Sequence, residues 1–104
     1  MKKITLSVGM NDKDTKKQEI ETEDFLRIIK DNVLPLGGAT IIPGCIGVYT
    51  HDDGQVVTEK SVQVVFYGAD QETVKDTARR LCRLLNQESI AYEETEIVSE
   101  FIGA

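Results

Sequence analysis

Four groups of residues in this chain have types and spacings that could do chemistry. His51 adjoins Asp52 and Asp53, with Glu59 further along. Imidazole and carboxylates together suit a divalent metal or an acid–base pair. The same stretch contains Asp53-Gly54, a pair favoured in tight hairpin turns, so it also reads as a polar, solvent-open hairpin tip. An open tip lacks the surrounding shell that orients ligands, and the turn is the preferred reading. Gly37-Gly38 could in principle cradle a phosphate. Phosphate loops, however, lead from a strand into a helix, and these glycines lie in the reverse order, as a helix exit.

The other two groups are runs of charge. Lys75, Arg79 and Arg83 recur every four residues, which lines them along one stripe of a helix. Such a stripe is usually a solvated face, and it is the secondary candidate for binding a phosphate backbone or an acidic partner. Between Leu84 and Ala104 there are five acids (Glu88, Glu93, Glu94, Glu96 and Glu100) and no Lys or Arg. On a strand, Glu94 and Glu96 would stand about 6.8 Å apart on one face. This acidic row could compete for a basic groove on a partner, or simply protect an edge strand from aggregation. Glu94, Glu96 and Glu100 are therefore the candidate partner-binding residues. No catalytic residue, metal ligand or cofactor is assigned.

The elements that must position these groups follow from periodicity. Ile4, Leu6, Val8 and Met10 alternate with polar or small residues, the pattern of a half-buried strand. Asn11 to Gln18 is a polar loop. Thr22 reads as an N-cap, followed by Glu23 and Asp24. Phe25, Ile28, Ile29 and Val33 share one helical face, and this helix should end before Pro35. Ala39 to Tyr67 reads as a long hairpin, with Pro43-Gly44 marking an edge strand or a bulge. Asp70 caps a second helix, whose buried stripe is Val74, Ala78, Leu81 and Leu85 with Cys82 and Leu84 beside it. Ser89 to Ile102 is the last strand. Its apolar residues change parity between Tyr92 and Ile97, which predicts a bulge near Glu93 to Thr95 or a bend where the strand leaves the sheet; either shift sets Glu94, Glu96 and Glu100 opposite Ile97 and Phe101.

The order β-α-β-β-α-β predicts an α+β, ferredoxin-like plan, with a four-stranded antiparallel sheet and two helices on one face. The chain has 104 residues, net charge −6 and 40% hydrophobic residues. That suits one domain over 1–104 and argues against generic nucleic-acid binding. No stretch is long and apolar enough for a membrane span, and the absence of a signal region implies a cytoplasmic protein. Cys45 and Cys82 have neither metal nor redox spacing. A sheet covered on one side only predicts a homodimer through its free face, where Tyr49, Val57 or Tyr67 would lie.

Three stretches together resemble a known group. They are Met1-Lys2-Lys3-Ile4-Thr5-Leu6 with Asn11-Asp12-Lys13-Asp14-Thr15-Lys16-Lys17-Gln18-Glu19-Ile20; Gly38-Ala39-Thr40-Ile41 with Gly47-Val48-Tyr49 and His51-Asp52-Asp53-Gly54; and Leu85-Asn86-Gln87-Glu88-Ser89. The group comprises short proteins of bacterial plasmids, phages and conjugative elements, among them anti-CRISPR inhibitors of type II nucleases. The resemblance implies a non-enzymatic inhibitor that binds a CRISPR effector nuclease, whose basic channels and Arg-lined motif reader an acidic protein could occupy. It assigns no residue. The alternative is a small dimeric enzyme or ligand-binding protein of this fold, with His51, Tyr49 or Tyr67 near a cleft.

Overall fold

Alternation in the first strand puts Ile4, Leu6 and Val8 on one side, and all three are fully buried in the computed structural model, which describes residues 1–104. This strand, β1 (Lys2–Gly9), is followed by α1 (Thr22–Val33), β2 (Thr40–Thr50), β3 (Val56–Tyr67), α2 (Gln71–Leu84) and β4 (Ala91–Glu96). The sheet order is β2-β3-β1-β4, antiparallel throughout. This is the ferredoxin-like α+β fold that the order of elements predicts.

Register explains the core. Ile4, Leu6 and Val8 stand opposite Phe66, Val64 and Val62. This central pair of strands meets Phe25, Ile29 and Val33 of α1 and Val74, Ala78 and Leu81 of α2 in one buried cluster. Periods of 2 and 3.6 thus aim the apolar side chains at one interior, and burying each large one contributes about 1.5–3 kcal/mol. Arg80 Nε donates to Asn32 Oδ1 at 2.8 Å and ties the helices together at their outer surface.

Several local expectations hold. The register of β2 against β3 shifts between Ile42 and Cys45, so Pro43-Gly44 is a bulge in an edge strand. Asp70 caps α2 by accepting from the Thr73 N–H at 3.0 Å. Others need correction. Thr22 is the first residue of α1, and the capping position, Glu21, makes no side-chain cap. Leu84 is 53% exposed, outside the buried stripe of α2. No bulge interrupts β4. The strand ends at Glu96, and the chain leaves the sheet with Val98, Phe101 and Ile102 almost wholly exposed. The other expectation, that the strand leaves the sheet, holds: the Ile97 N–H still donates to Met1 O at 2.9 Å, and the residues beyond it pair with no strand. No helix is long and apolar enough to cross a membrane.

Candidate functional site

β1 ends at Gly9, opposite Ser61, while β3 begins five residues earlier, at Val56. The β2–β3 hairpin therefore overhangs the sheet. A cleft of about 740 Å³ opens where this overhang meets the β1–α1 loop and the α2–β4 connection. That volume falls in the usual range for small-molecule sites, about 300–1,000 Å³. The face involved is the one without helices, because Ser7, Gly9, Ser61, Glu59, Gly47 and Tyr49 have the parity opposite to the core residues.

Glu59 lies at the centre of this arrangement. It pairs across the hairpin with Gly47, and its carboxylate folds over Gly9 on the other side. A Cβ at Gly9 would come within 2.4 Å of the Glu59 carboxylate, so the glycine leaves the space that the acid occupies. Glu59 Oε2 accepts the Asn11 N–H at 2.9 Å, which fixes the group's direction. The residue is half-buried and takes part in none of the chain's ion pairs. Its fixed direction and lack of an ion partner leave the carboxylate open to a cationic ligand in the cleft.

Tyr49 borders the same space. Burial raises its hydroxyl above the ordinary tyrosine value, and the carboxylates of Glu59 and Glu88 add to that shift. His51 follows on the same face of β2, its ring centroid 6.0 Å from that of Tyr49. Beyond it the hairpin closes through Gly54 N–H to His51 O at 2.9 Å and His51 N–H to Gln55 O at 2.8 Å. His51 is thus both a turn residue and part of the cleft wall, whereas Tyr67 stands at the far end of β3 opposite Lys3.

The α2–β4 connection supplies the remaining wall. Asn86, at φ 47°, donates from Nδ2 to Asp12 Oδ2 and Asp14 Oδ2, both at 2.9 Å. Buried Gln87 donates to Asn11 O at 2.9 Å. These bonds hold the β1–α1 loop against the end of α2. The Asn86 amide, helped by the Asp14 and Thr15 N–H groups, keeps the Asp12 carboxyl below its usual range. No three His, Cys, Asp or Glu side chains stand together as a metal site.

The residues singled out by charge lie elsewhere. Glu94 and Glu96 are at the opposite end of β4, on the helix side of the sheet with Tyr92. Both pair with Lys2 at 3.9 Å, and Glu96 also binds the terminal amino group at 2.8 Å. Glu100 is exposed in the segment after β4. The three acids therefore do not share the face opposite Ile97 and Phe101, since there is no bulge to rotate the strand. Lys75 and Arg79 pair with Glu72 and Asp76 on their own helix, and Lys75 also lies 5.2 Å from the Tyr92 ring centre. Arg83 is exposed in the last turn.

No family model matches the chain, and no curated protein does. Solved structures do. A phage SAM lyase in complex with S-methyl-5'-thioadenosine is 27% identical, with a TM-score of 0.69, over 91% of this chain and 80% of that one. A phage SAM lyase in its apo state is 25% identical with a TM-score of 0.65, over 98% and 92% of the two chains. The divalent cation tolerance protein CutA1 of Thermus thermophilus is 14% identical with a TM-score of 0.65, over 97% and 88%, and shares the fold.

These findings overturn the reading as a non-enzymatic inhibitor of a CRISPR nuclease: the chain's likeness is to an enzyme, along nearly its whole length. The inhibitor reading leaned on the resemblance of the three stretches, and the lack of paired catalytic groups in the sequence counted against an enzyme. The cleft instead draws its groups from four separate segments. In the sequence Glu59 stands out only beside His51, Asp52 and Asp53, in a stretch that reads as a hairpin turn. Gly9 and Asn11 carry no motif, although glycines inside two strands, Gly9 and Gly47, are a known sign of close approach by another group.

Proposed function

We propose that the cleft binds S-adenosylmethionine and that the chain is a lyase for it. The observation that carries the reading is the Glu59 carboxylate, held in place by the Asn11 N–H, half-buried and outside any ion pair, in a cleft that Tyr49 also lines. A sulfonium is a cation with weakly hydrated methyl and methylene groups. Carboxylates and aromatic faces attract such onium centres when water is partly excluded. The likeness to a phage SAM lyase supports the same ligand class.

In this reading the bond between sulfur and the γ-carbon of the methionyl chain breaks, and its electron pair stays on sulfur. The sulfonium thereby becomes the neutral thioether of S-methyl-5'-thioadenosine. The γ-carbon regains its bond from within the four-carbon fragment. It bonds either to that fragment's carboxylate or, after a neighbouring proton passes to Glu59, to the adjacent carbon as an alkene. No water is consumed. Glu59 and Tyr49 draw and orient the sulfonium, and Gly9 with Asn11 positions Glu59.

The test is incubation of the purified protein with S-adenosylmethionine and chromatography of the products. Release of S-methyl-5'-thioadenosine, abolished in a folded Glu59→Gln variant, is expected. A wild-type protein that neither releases nor binds that thioether overturns the reading.

The same reading carries self-association. The free sheet face is mostly polar around the cleft, but Ile46, Val48 and Val56 on the other side of the overhanging hairpin are 65–70% exposed. Such an exposed apolar patch favours an oligomer that would cover it, which sedimentation at micromolar concentration tests. A mass of 11.6 kDa throughout would exclude it.

A further inference from the structure

Resting on the proposed function, we infer that Lys13 and Lys16 form a subsite for the carboxylate of the substrate's amino-acid end. The chain is acidic overall, yet the loop after β1 brings these two lysines to the rim of the cleft that holds Glu59. Apart from His51 they are the only basic residues lining it. Neither takes part in any of the chain's ion pairs. The nearby acids are engaged by amide donors instead: Asp12 by the N–H groups of Asp14 and Thr15 and the Asn86 side chain, and Asp14 by that same side chain. Two cations are thus left without a partner on a protein that has acids in excess.

The loop that carries them is built and not slack. The Lys13 N–H donates to Asn86 O at 2.9 Å, and the Lys16 N–H to Asp12 O at 2.9 Å. The Asp12 N–H closes the loop onto Lys17 O at 2.7 Å. Beneath it, the buried Gln87 amide holds Asn11 O. Within this frame Lys16 sits at φ 63°, a left-handed conformation that long side chains seldom adopt and that glycine or asparagine would take with less strain. A strained backbone under a charged side chain, at the mouth of a cleft, points to a use for that side chain.

The ligand chemistry fits the division of charge. S-Adenosylmethionine carries a carboxylate at one end and a sulfonium at its centre, and the cleft offers lysines at its rim and Glu59 on its floor. The thioether product has lost the amino-acid end. A carboxylate subsite therefore discriminates substrate from product and lets the nucleoside fragment leave without competing for it.

Titration calorimetry with three uncharged-sulfur probes tests this: S-adenosylhomocysteine, its carboxamide and S-methyl-5'-thioadenosine, on wild type and on Lys13→Gln/Lys16→Gln. Both lysines are exposed, and circular dichroism confirms the fold of the variant. Loss of the charged contact is expected to weaken S-adenosylhomocysteine about tenfold and to leave the thioether product unchanged. Replacing the ligand's carboxylate by the carboxamide should cost about tenfold on wild type and almost nothing on the variant. A variant that binds S-adenosylhomocysteine as wild type does, or that loses both ligands equally, overturns the subsite and leaves the lyase reading standing. Wild-type protein that binds none of the three overturns the subsite, and overturns the lyase reading too if it also releases no S-methyl-5'-thioadenosine from S-adenosylmethionine.

Discussion

Replacing Gly9 by Ala separates the position of Glu59 from its mere presence. The added Cβ would lie 2.4 Å from Glu59 Oε1, 2.7 Å from Cδ and 2.8 Å from Oε2. Carbon–oxygen contacts need about 3.5 Å, so the carboxylate has to move by about 1 Å. It is the far end of a flexible side chain, so the strand itself need not shift. The displacement takes Oε2 away from the Asn11 N–H it now meets at 2.9 Å. Leaving that half-buried donor without its partner costs about 1–3 kcal/mol, while Ala in a strand regains about 0.5–1 kcal/mol over Gly. The net loss of about 0–2.5 kcal/mol lowers the melting temperature by at most about 10–20 °C and leaves the protein folded. On the proposed function turnover should suffer far more, because misplacing a group that orients the substrate by about 1 Å costs on the order of 100-fold. The assay is release of S-methyl-5'-thioadenosine by chromatography, with calorimetric melting of the same samples. Adding Glu59→Gln to Gly9→Ala should then lower the rate little further, since both changes disable one group. Wild-type turnover in folded Gly9→Ala would refute the argument that the seat of Glu59 between β1 and β2 matters.

Other outcomes follow from the same structure. Asn86→Ala removes the largest cause of the depressed Asp12 pKa, so the Asp12 carboxyl, followed by NMR, should titrate closer to 3.8 than in wild type. Because a depressed carboxyl stabilises the fold above its unfolded pKa and loses that contribution as pH falls through its folded one, the variant's stability should also depend less on pH below about 4. Phe25→Ala empties a site that is 1% exposed and should cost about 3–5 kcal/mol in denaturant unfolding. Lys at Glu94, Glu96 and Glu100 together should leave turnover unchanged, because all three lie away from the cleft; a rate loss in a folded variant would return that strand to consideration. Gly44→Ala, at φ 79° in the β2 bulge, should destabilise by about 1 kcal/mol without altering ligand binding, as thermal melts and calorimetry would show.

Residue order alone dictates the elements and the side each turns inward. Ile4, Leu6 and Val8 at period 2 and Phe25, Ile29 and Val33 at helical spacing can bury their apolar groups in only one local geometry each, and that choice needs no distant partner. The bulge at Pro43-Gly44 and the cap at Asp70 were legible for the same reason, being interactions between near neighbours. Where β4 stops is settled by assembly of the sheet, since pairing with β1 ends at Lys2 opposite Glu96, with one last bond from the Ile97 N–H to Met1 O, and leaves Val98 to Ala104 without a strand to join. Assembly also makes the cleft. Glu59 meets Asn11 across 48 positions and Gln87 meets Asn11 across 76, and no local pattern encodes a contact of that span. Charge reads differently once folded for a related reason: the Glu94–Glu96 row is conspicuous in one dimension but pairs with Lys2 and the amino terminus, while Glu59, a single acid among many, takes part in no ion pair. Whether a charged side chain is available to a ligand depends on what the register sets beside it, and register is a property of the assembled sheet.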